Sequence, residues 1–292
     1  MSSDRIIAVT GATGRQGGAV ARHLLAGGWQ VRALTRTPEN EPARKLAALG
    51  AEVIRADMAD PRTLTDAFHD VYGVYSVQNT MISGAEAEIR QGKNVANAAK
   101  QASVHHVVYG SAGLGVPGTG VPSWESKLAV EAHMNELGLP LTVLRPMAFM
   151  ELMTDKEFFP PVSAWYLMPK LMGAQRRLPW ICVDDLGAIA TRAFADPDRF
   201  IGAGLKLAAD ICSISECREM WSEVMGRAPR RFPMPVWLFK RFVGSDLITM
   251  WRWLRTGQVD VDPLETHEIL PAASTVRKWM ISRRTQVKQH AR

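Results

Sequence analysis

Gly11, Gly14 and Gly17 punctuate the run Thr10-Gly11-Ala12-Thr13-Gly14-Arg15-Gln16-Gly17, directly behind the apolar stretch Ile6-Ile7-Ala8-Val9. A turn of this composition lets main-chain N–H groups come close to a phosphate, because glycine has no Cβ and tolerates positive φ. A helix that begins at once adds the positive end of its dipole. Strand, glycine turn and helix together are what cradles a dinucleotide pyrophosphate, whereas a plain strand–helix turn has no need of three glycines. The spacing is G-x-x-G-x-x-G, distinct from the commoner G-x-G-x-x-G. Gly11, Thr13, Gly14, Arg15, Gln16 and Gly17 are the candidate phosphate-binding residues.

The second strand reads Val31-Arg32-Ala33-Leu34-Thr35-Arg36. In an NAD site its end carries an acidic residue that accepts from the ribose 2′-OH. Here Thr35 holds that place and Arg36 follows. A carboxylate repels a 2′-phosphate, and a guanidinium pairs with it bidentately. Arg36, flanked by Arg15, therefore points to NADP(H) over NAD(H); the alternative is two solvated arginines. Asp57 and Met58 follow the third strand, where Asp57 either accepts from the adenine amine or caps the next turn. Gln78, in Ser76-Val77-Gln78-Asn79 at the end of the fourth strand, lines the cofactor or belongs to an ordinary polar loop.

Short apolar segments at 5–10, 30–35, 52–56, 71–77, 104–110 and 141–145 alternate with helical stretches at 17–26, 41–49, 62–69, 84–102 and 124–137. Alternating β and α with short joints gives an α/β fold, a Rossmann-type doubly wound parallel sheet with right-handed crossovers. After Pro146 the pattern loosens. A strand is expected at 180–183, a helix over 184–195 and a strand at 203–209. A helix over 214–226 follows, capped by Ser213 or Ser215, and the aromatic stretch 235–254 reads as an amphipathic helix broken at Gly244. The expected division is a dinucleotide-binding domain over 1–150, to which 180–210 returns, and a smaller mixed C-terminal lobe over 151–292.

The 292 residues are 47% apolar, enough for a sizeable core. No apolar run approaches the length of a membrane span, and no signal-peptide h-region opens the chain. Cys182, Cys212 and Cys217 lack metal spacing and suit a reducing, cytoplasmic setting, so no metal and no membrane are expected. The net charge is +6; residues 213–292 carry 14 Lys/Arg against 8 Asp/Glu, and residues 1–212 carry 21 of each. Such a basic segment could meet an acidic partner. With its charges scattered among Trp and Met and no DNA-binding motif, it reads as a solvated surface in preference to a nucleic-acid site. The tail 282–292 reads as frayed. His105, His106 and His133 read as packing or surface residues.

These segments together resemble the NmrA-like family of atypical short-chain dehydrogenases/reductases. The matching pieces are 11–18, 31–36, Ala-Asp-Met-Ala-Asp (56–60), His-Val-Val-Tyr-Gly-Ser (106–111), Trp-Glu-Ser-Lys (124–127) and Gly-Leu-Pro-Leu-Thr-Val-Leu-Arg-Pro (138–146), thinning out to Val183-Asp184-Asp185. The resemblance implies NADP(H) binding and a pocket under the C-terminal lobe. In the wider superfamily a Tyr-x-x-x-Lys pair and an upstream Ser do the chemistry, the Tyr donating a proton and the Lys binding the nicotinamide ribose. Lys127 fits the Lys position and Ser111 the Ser position, but Ser123 stands where the Tyr would be. An alkyl hydroxyl is too weak an acid to replace a phenol. Tyr166 with Lys170 repeats the spacing, yet Pro169 lies between them and the pair follows the sixth strand, so it reads as a chance match.

The resulting expectation is an NADPH-dependent reductase of an easily reduced acceptor, such as a quinone, azo compound or conjugated carbonyl. Trp124, Met147, Phe149, Phe158, Phe159, Trp165 and Trp180 either wall a flat apolar pocket or are ordinary core. The alternative is a non-catalytic NADP(H) redox sensor that acts through a regulatory protein partner.

Overall fold

The computed structural model describes residues 5–154, 163–231 and 233–290. Its strands are β1 (Ile6–Val9), β2 (Gln30–Thr35), β3 (Glu52–Arg55), β4 (Gly73–Ser76), β5 (His106–Gly110), β6 (Leu141–Pro146), β7 (Ala148–Phe149), β8 (Arg177–Ile181), β9 (Gly204–Leu207) and β10 (Asp210–Ser213). Seven form one sheet in the order β3-β2-β1-β4-β5-β6-β9, and three form another in the order β10-β8-β7. Parallel register joins Val9 to Ala33 on one side and to Tyr75 on the other. The same sense continues through β3, β5 and β6. The chain runs outward from β1 to β3 and then crosses back to β4. The carboxyl ends of β1 and β4 thus flank the crevice that doubly wound sheets use for ligands.

Burial on both faces explains the near-continuous apolar strands: Ile7, Ala8, Val9, Val74, Val107 and Val108 have no exposed surface. The helices Arg15–Ala26, Glu41–Ala48, Pro61–Ala67, Ala85–Gln101 and Pro122–Glu136 follow the first five strands, with the short helix Thr80–Ser83 inserted after β4. Each of the five begins and ends within two residues of its expected bounds. Asn40 and Asp60 cap their helices through side-chain oxygens, each followed by a proline in the first turn.

The chain separates into two compact units. The first takes in the chain up to Gly118, Pro122–Arg145 and Leu186–Leu205; the second takes in Thr119–Val121, Pro146–Asp185 and the chain from Lys206 onward. In the second unit β8 pairs antiparallel with β10 and parallel with β7. The strand expected at 203–209 ends at Leu207, and β10 begins a new one at Asp210. Ser213 is the cap of helix Ile214–Met225, in a reciprocal pair with Glu216. The stretch 235–254 divides at Gly244 into helices Val236–Val243 and Asp246–Thr256, with the Phe239 and Trp251 rings 5.7 Å apart.

Two expectations are corrected here. The tail is helical as far as His290, continuing a helix from Val276 whose first turns bury Val276, Trp279 and Met280, while Ala291 and Arg292 lie outside the described residues. Pro169 does not break the chain around Tyr166. A π-helical turn, Ser163–Leu167, runs directly into helix Met168–Met172, where Pro169 sits in the first turn and its missing N–H costs nothing. Lys170 Nζ stands 5.7 Å from the Tyr166 ring centroid, a cation–π contact within the second unit. The three cysteines are buried free thiols. Among the described residues no helix is long and apolar enough to cross a membrane.

Candidate functional site

The glycine turn is built as its composition requires. Gly11 has φ +59, and a Cβ on Gly17 would lie 2.4 Å from the Gly11 carbonyl oxygen and 2.6 Å from that of Thr10. Only glycine permits the helix to start so close to the strand. Gly14 N donates to Gly11 O at 2.9 Å, closing the turn. Helix Arg15–Ala26 has Gly14 at its N-cap, no side-chain cap and no acidic residue in its first turn. Its positive end is therefore left for an external anion. Arg15, Gln16 and Thr13 are half-buried around it. Gln16 Oε1 accepts from Tyr75 Oη at 3.5 Å.

Beyond β2, Arg36 is exposed and its guanidinium has no hydrogen bond or ion pair among the described residues. Its carbonyl accepts from Arg55 Nη1 at 2.8 Å, which fixes the backbone beneath it. Asp57 Oδ1 accepts from Ala59 N at 2.9 Å, so one carboxylate oxygen caps the turn. Gln78 is buried; its Nε2 donates to Ser76 Oγ at 3.0 Å and to Met58 Sδ at 3.6 Å. Gln78 Oε1 has no partner among the described residues although it is buried. An orphaned acceptor costs about 1–3 kcal/mol, which a donor brought by a ligand would recover. A ribose hydroxyl or an adenine amine is such a donor.

Lys127 lies inside the first unit, 6% exposed. Its Nζ donates to the Gln78 carbonyl at 2.8 Å and stands 2.9 Å from Glu88 Oε1, an ion-pair distance without hydrogen-bond angles. It also stands 5.5 Å from the Tyr109 ring centroid. Ser111, just past β5, donates its hydroxyl to Glu131 Oε1, and Glu131 Oε2 pairs with Arg145 Nη2. Two buried carboxylates, Glu88 and Glu131, thus flank Tyr109. The Tyr109 hydroxyl has no partner among the described residues, and burial, followed by these two charges, pushes its pKa well above the ordinary phenol value. Tyr75 is pushed up as well, by burial alone. Both phenols stay protonated inside the sheet.

Of the proposed pocket walls, Trp165 and Trp180 are core residues whose indole N–H groups donate to the carbonyls of Met153 and Cys212. Trp124 and Phe149 are buried, and Met147 is half-buried. Phe158 and Phe159 lie outside the described residues. Thr10, Glu88 and Glu131 shape the site without any signal in the sequence, because acidic residues within helices read as solvent-facing. Among the described residues no group of three His, Cys, Asp or Glu could hold a metal ion.

The model of the NmrA-like family matches residues 3–280. The chain belongs to the NmrA-like family. The NmrA-like family domain-containing oxidoreductase malD of Malbranchea aurantiaca is 31% identical over 259 residues, covering 80% of this chain and 77% of that protein. Among solved structures, NmrA, a negative transcriptional regulator in complex with NADP, superposes with a TM-score of 0.75 at 21% identity over 96% of this chain and 95% of its own. The Citrobacter sp. triphenylmethane reductase complexed with NADP(H) gives a TM-score of 0.75 at 20% identity, over 96% and 99%. These likenesses establish that the NmrA fold extends through both units, well past residue 150.

Proposed function

We propose that this NmrA-like chain binds NADP(H) on its glycine turn and reduces an acceptor that takes hydride readily: a quinone, an azo compound or a conjugated carbonyl. The observation that carries the reading is the buried, partnered Lys127 beside the end of β4, in a site with Ser123 in place of a phenol. The amides around Gly11, Gly14 and Gly17 bind the pyrophosphate. Arg36, with Arg15, pairs with the 2′-phosphate. Gln78 Oε1 accepts a hydroxyl or amine proton, and Met58 with the second oxygen of Asp57 faces the adenine side. An ammonium has three donors. Gln78 O engages one of those on Lys127, Glu88 Oε1 neutralises its charge at ion-pair distance, and donors are left for a ribose hydroxyl. When bound, the reduced nicotinamide supplies the hydride.

Ser111 supplies no proton, since its hydroxyl is already given to Glu131. The protein contributes orientation and exclusion of water, and solvent protonates the product. Acceptors that need a strong enzymic acid, such as simple ketones, fall outside this chemistry. The oxidoreductase name of malD and the dye-reducing activity named for the Citrobacter protein support the reading. The test is NADPH consumption against a panel of quinones, azo dyes and enones. Acceptor-dependent oxidation above a heat-killed control is expected; none with any acceptor would overturn the reductase reading.

The same hydroxyl accounting favours one alternative, a cofactor sensor without turnover, because neither Ser111 nor Ser123 offers a competent acid. NADP(H) would then change the affinity for a regulatory protein. Equal partner affinity or oligomeric state in the apo, NADP⁺ and NADPH forms would remove it.

A further inference from the structure

Resting on the NADP(H) reading, we infer that Glu88 is a positioning residue, whose buried carboxylate fixes the Lys127 ammonium and ties it to the loop that follows β4. Glu88 has no exposed surface. Its Oε2 accepts from two hydroxyls, Ser126 Oγ and Thr80 Oγ1, while its Oε1 faces Lys127 Nζ at 2.9 Å. The hydroxyls come from different elements: Thr80 opens the short helix after Gln78-Asn79, and Ser126 immediately precedes Lys127. Because Lys127 Nζ also holds the Gln78 carbonyl at 2.8 Å, loop and helix close into a ring through one carboxylate.

A lone lysine at this depth would have to lose its proton or swing out to water, since an unpaired buried charge is costly. Glu88 removes that cost and pins a side chain that otherwise carries much rotamer entropy. A buried ion pair is weak evidence of added stability, since its apolar replacement is often neutral. Its effect is to hold the cation at one place. Strand order puts the ends of β4 and β5 on the side of β1 opposite to β2, where Arg36 lies. Lys127 therefore serves the half of the dinucleotide remote from the 2′-phosphate.

Calorimetric titration of the full chain with NADPH and with adenosine 2′,5′-bisphosphate, which lacks the nicotinamide ribose, separates the outcomes. Glu88→Gln is expected to weaken NADPH about tenfold or more, the loss of one charge-assisted contact, and to leave the bisphosphate within about twofold. In a double-mutant cycle, Glu88→Gln combined with Lys127→Met should bind NADPH no worse than Lys127→Met alone. Equal weakening of both ligands, unchanged NADPH affinity, or additive losses would each overturn the inference. Should Glu88→Gln not fold, Ser126→Ala keeps both charges and is expected to weaken NADPH selectively by about threefold; an unselective or absent effect overturns the inference in the same way. If wild-type protein binds neither ligand, the cofactor reading itself fails, a result distinct from all of these.

Discussion

Thr10 and Val77 exchange two hydrogen bonds: Thr10 Oγ1 accepts from Val77 N at 2.8 Å and donates to Val77 O at 3.2 Å. Thr10 N adds a third link, to Tyr75 O at 3.0 Å. The strand that enters the glycine turn is thereby stitched to the segment that leads from β4 to Gln78. Both walls of the crevice are set by one hydroxyl. Thr10→Val, nearly isosteric, leaves the Val77 amide and carbonyl without this partner. It should lower stability by about 2 kcal/mol in chemical denaturation and weaken NADPH. A stability equal to wild type would contradict this role.

Gly17→Ala places a methyl against two carbonyl oxygens that belong to backbone and cannot yield cheaply. The chain should still fold, as judged by circular dichroism, while NADPH affinity falls about tenfold or more because the turn must shift. Wild-type affinity would mean that the turn does not contact the cofactor.

The Arg36 guanidinium has no hydrogen bond or ion pair among the described residues, so Arg36→Ala should leave the thermal midpoint unchanged. NADPH affinity should fall by about tenfold to a hundredfold, with NADH affinity nearly unaltered. Equal losses for the two coenzymes would show that Arg36 does not select the 2′-phosphate.

His106 gives a pH prediction. Thr142 Oγ1 donates to Phe200 O at 2.7 Å, so it accepts from His106 Nε2–H at 2.8 Å, which leaves Nδ1 buried without a partner among the described residues. Burial lowers the His106 pKa from 6.5 to about 4. Between these values the unfolded chain binds the proton and the native one does not, so stability is full above about pH 6.5 and falls as the pH drops toward 4. The loss should reach about 3 kcal/mol at most, read from denaturation midpoints between pH 7 and pH 4. His106→Phe should flatten that fall; an unchanged slope in the variant would assign it to other groups.

The sheet was legible because β1, β4 and β5 are buried on both faces and read as bare apolar runs between glycine and proline stops. The second unit was less legible. Ala148–Phe149 is too short to show a period, and the cationic residues of Val276–His290 mask the buried Val276, Trp279 and Met280 at helical spacing. Helix Pro263–Ile269 did carry a start signal, Asp262 before Pro263, with Asp262 Oδ1 accepting from Leu264 N at 2.9 Å. Of the site, the glycines, Arg36 and Lys127 stand out by type and spacing. Glu88 does not. Its meaning depends on where Thr80, Ser126 and Lys127 meet, which only tertiary packing decides. Ser111 likewise reads as a free hydroxyl until Glu131 is found beside it.

The amino-terminal turn is expected to clasp a phosphorylated nicotinamide dinucleotide. Titrating NADPH and NADH separately into the folded, full-length chain in a calorimeter at physiological salt tests it most directly. The expected result is saturable binding of NADPH to one site per chain, several-fold tighter than NADH. Heat of dilution alone from both coenzymes would contradict the account.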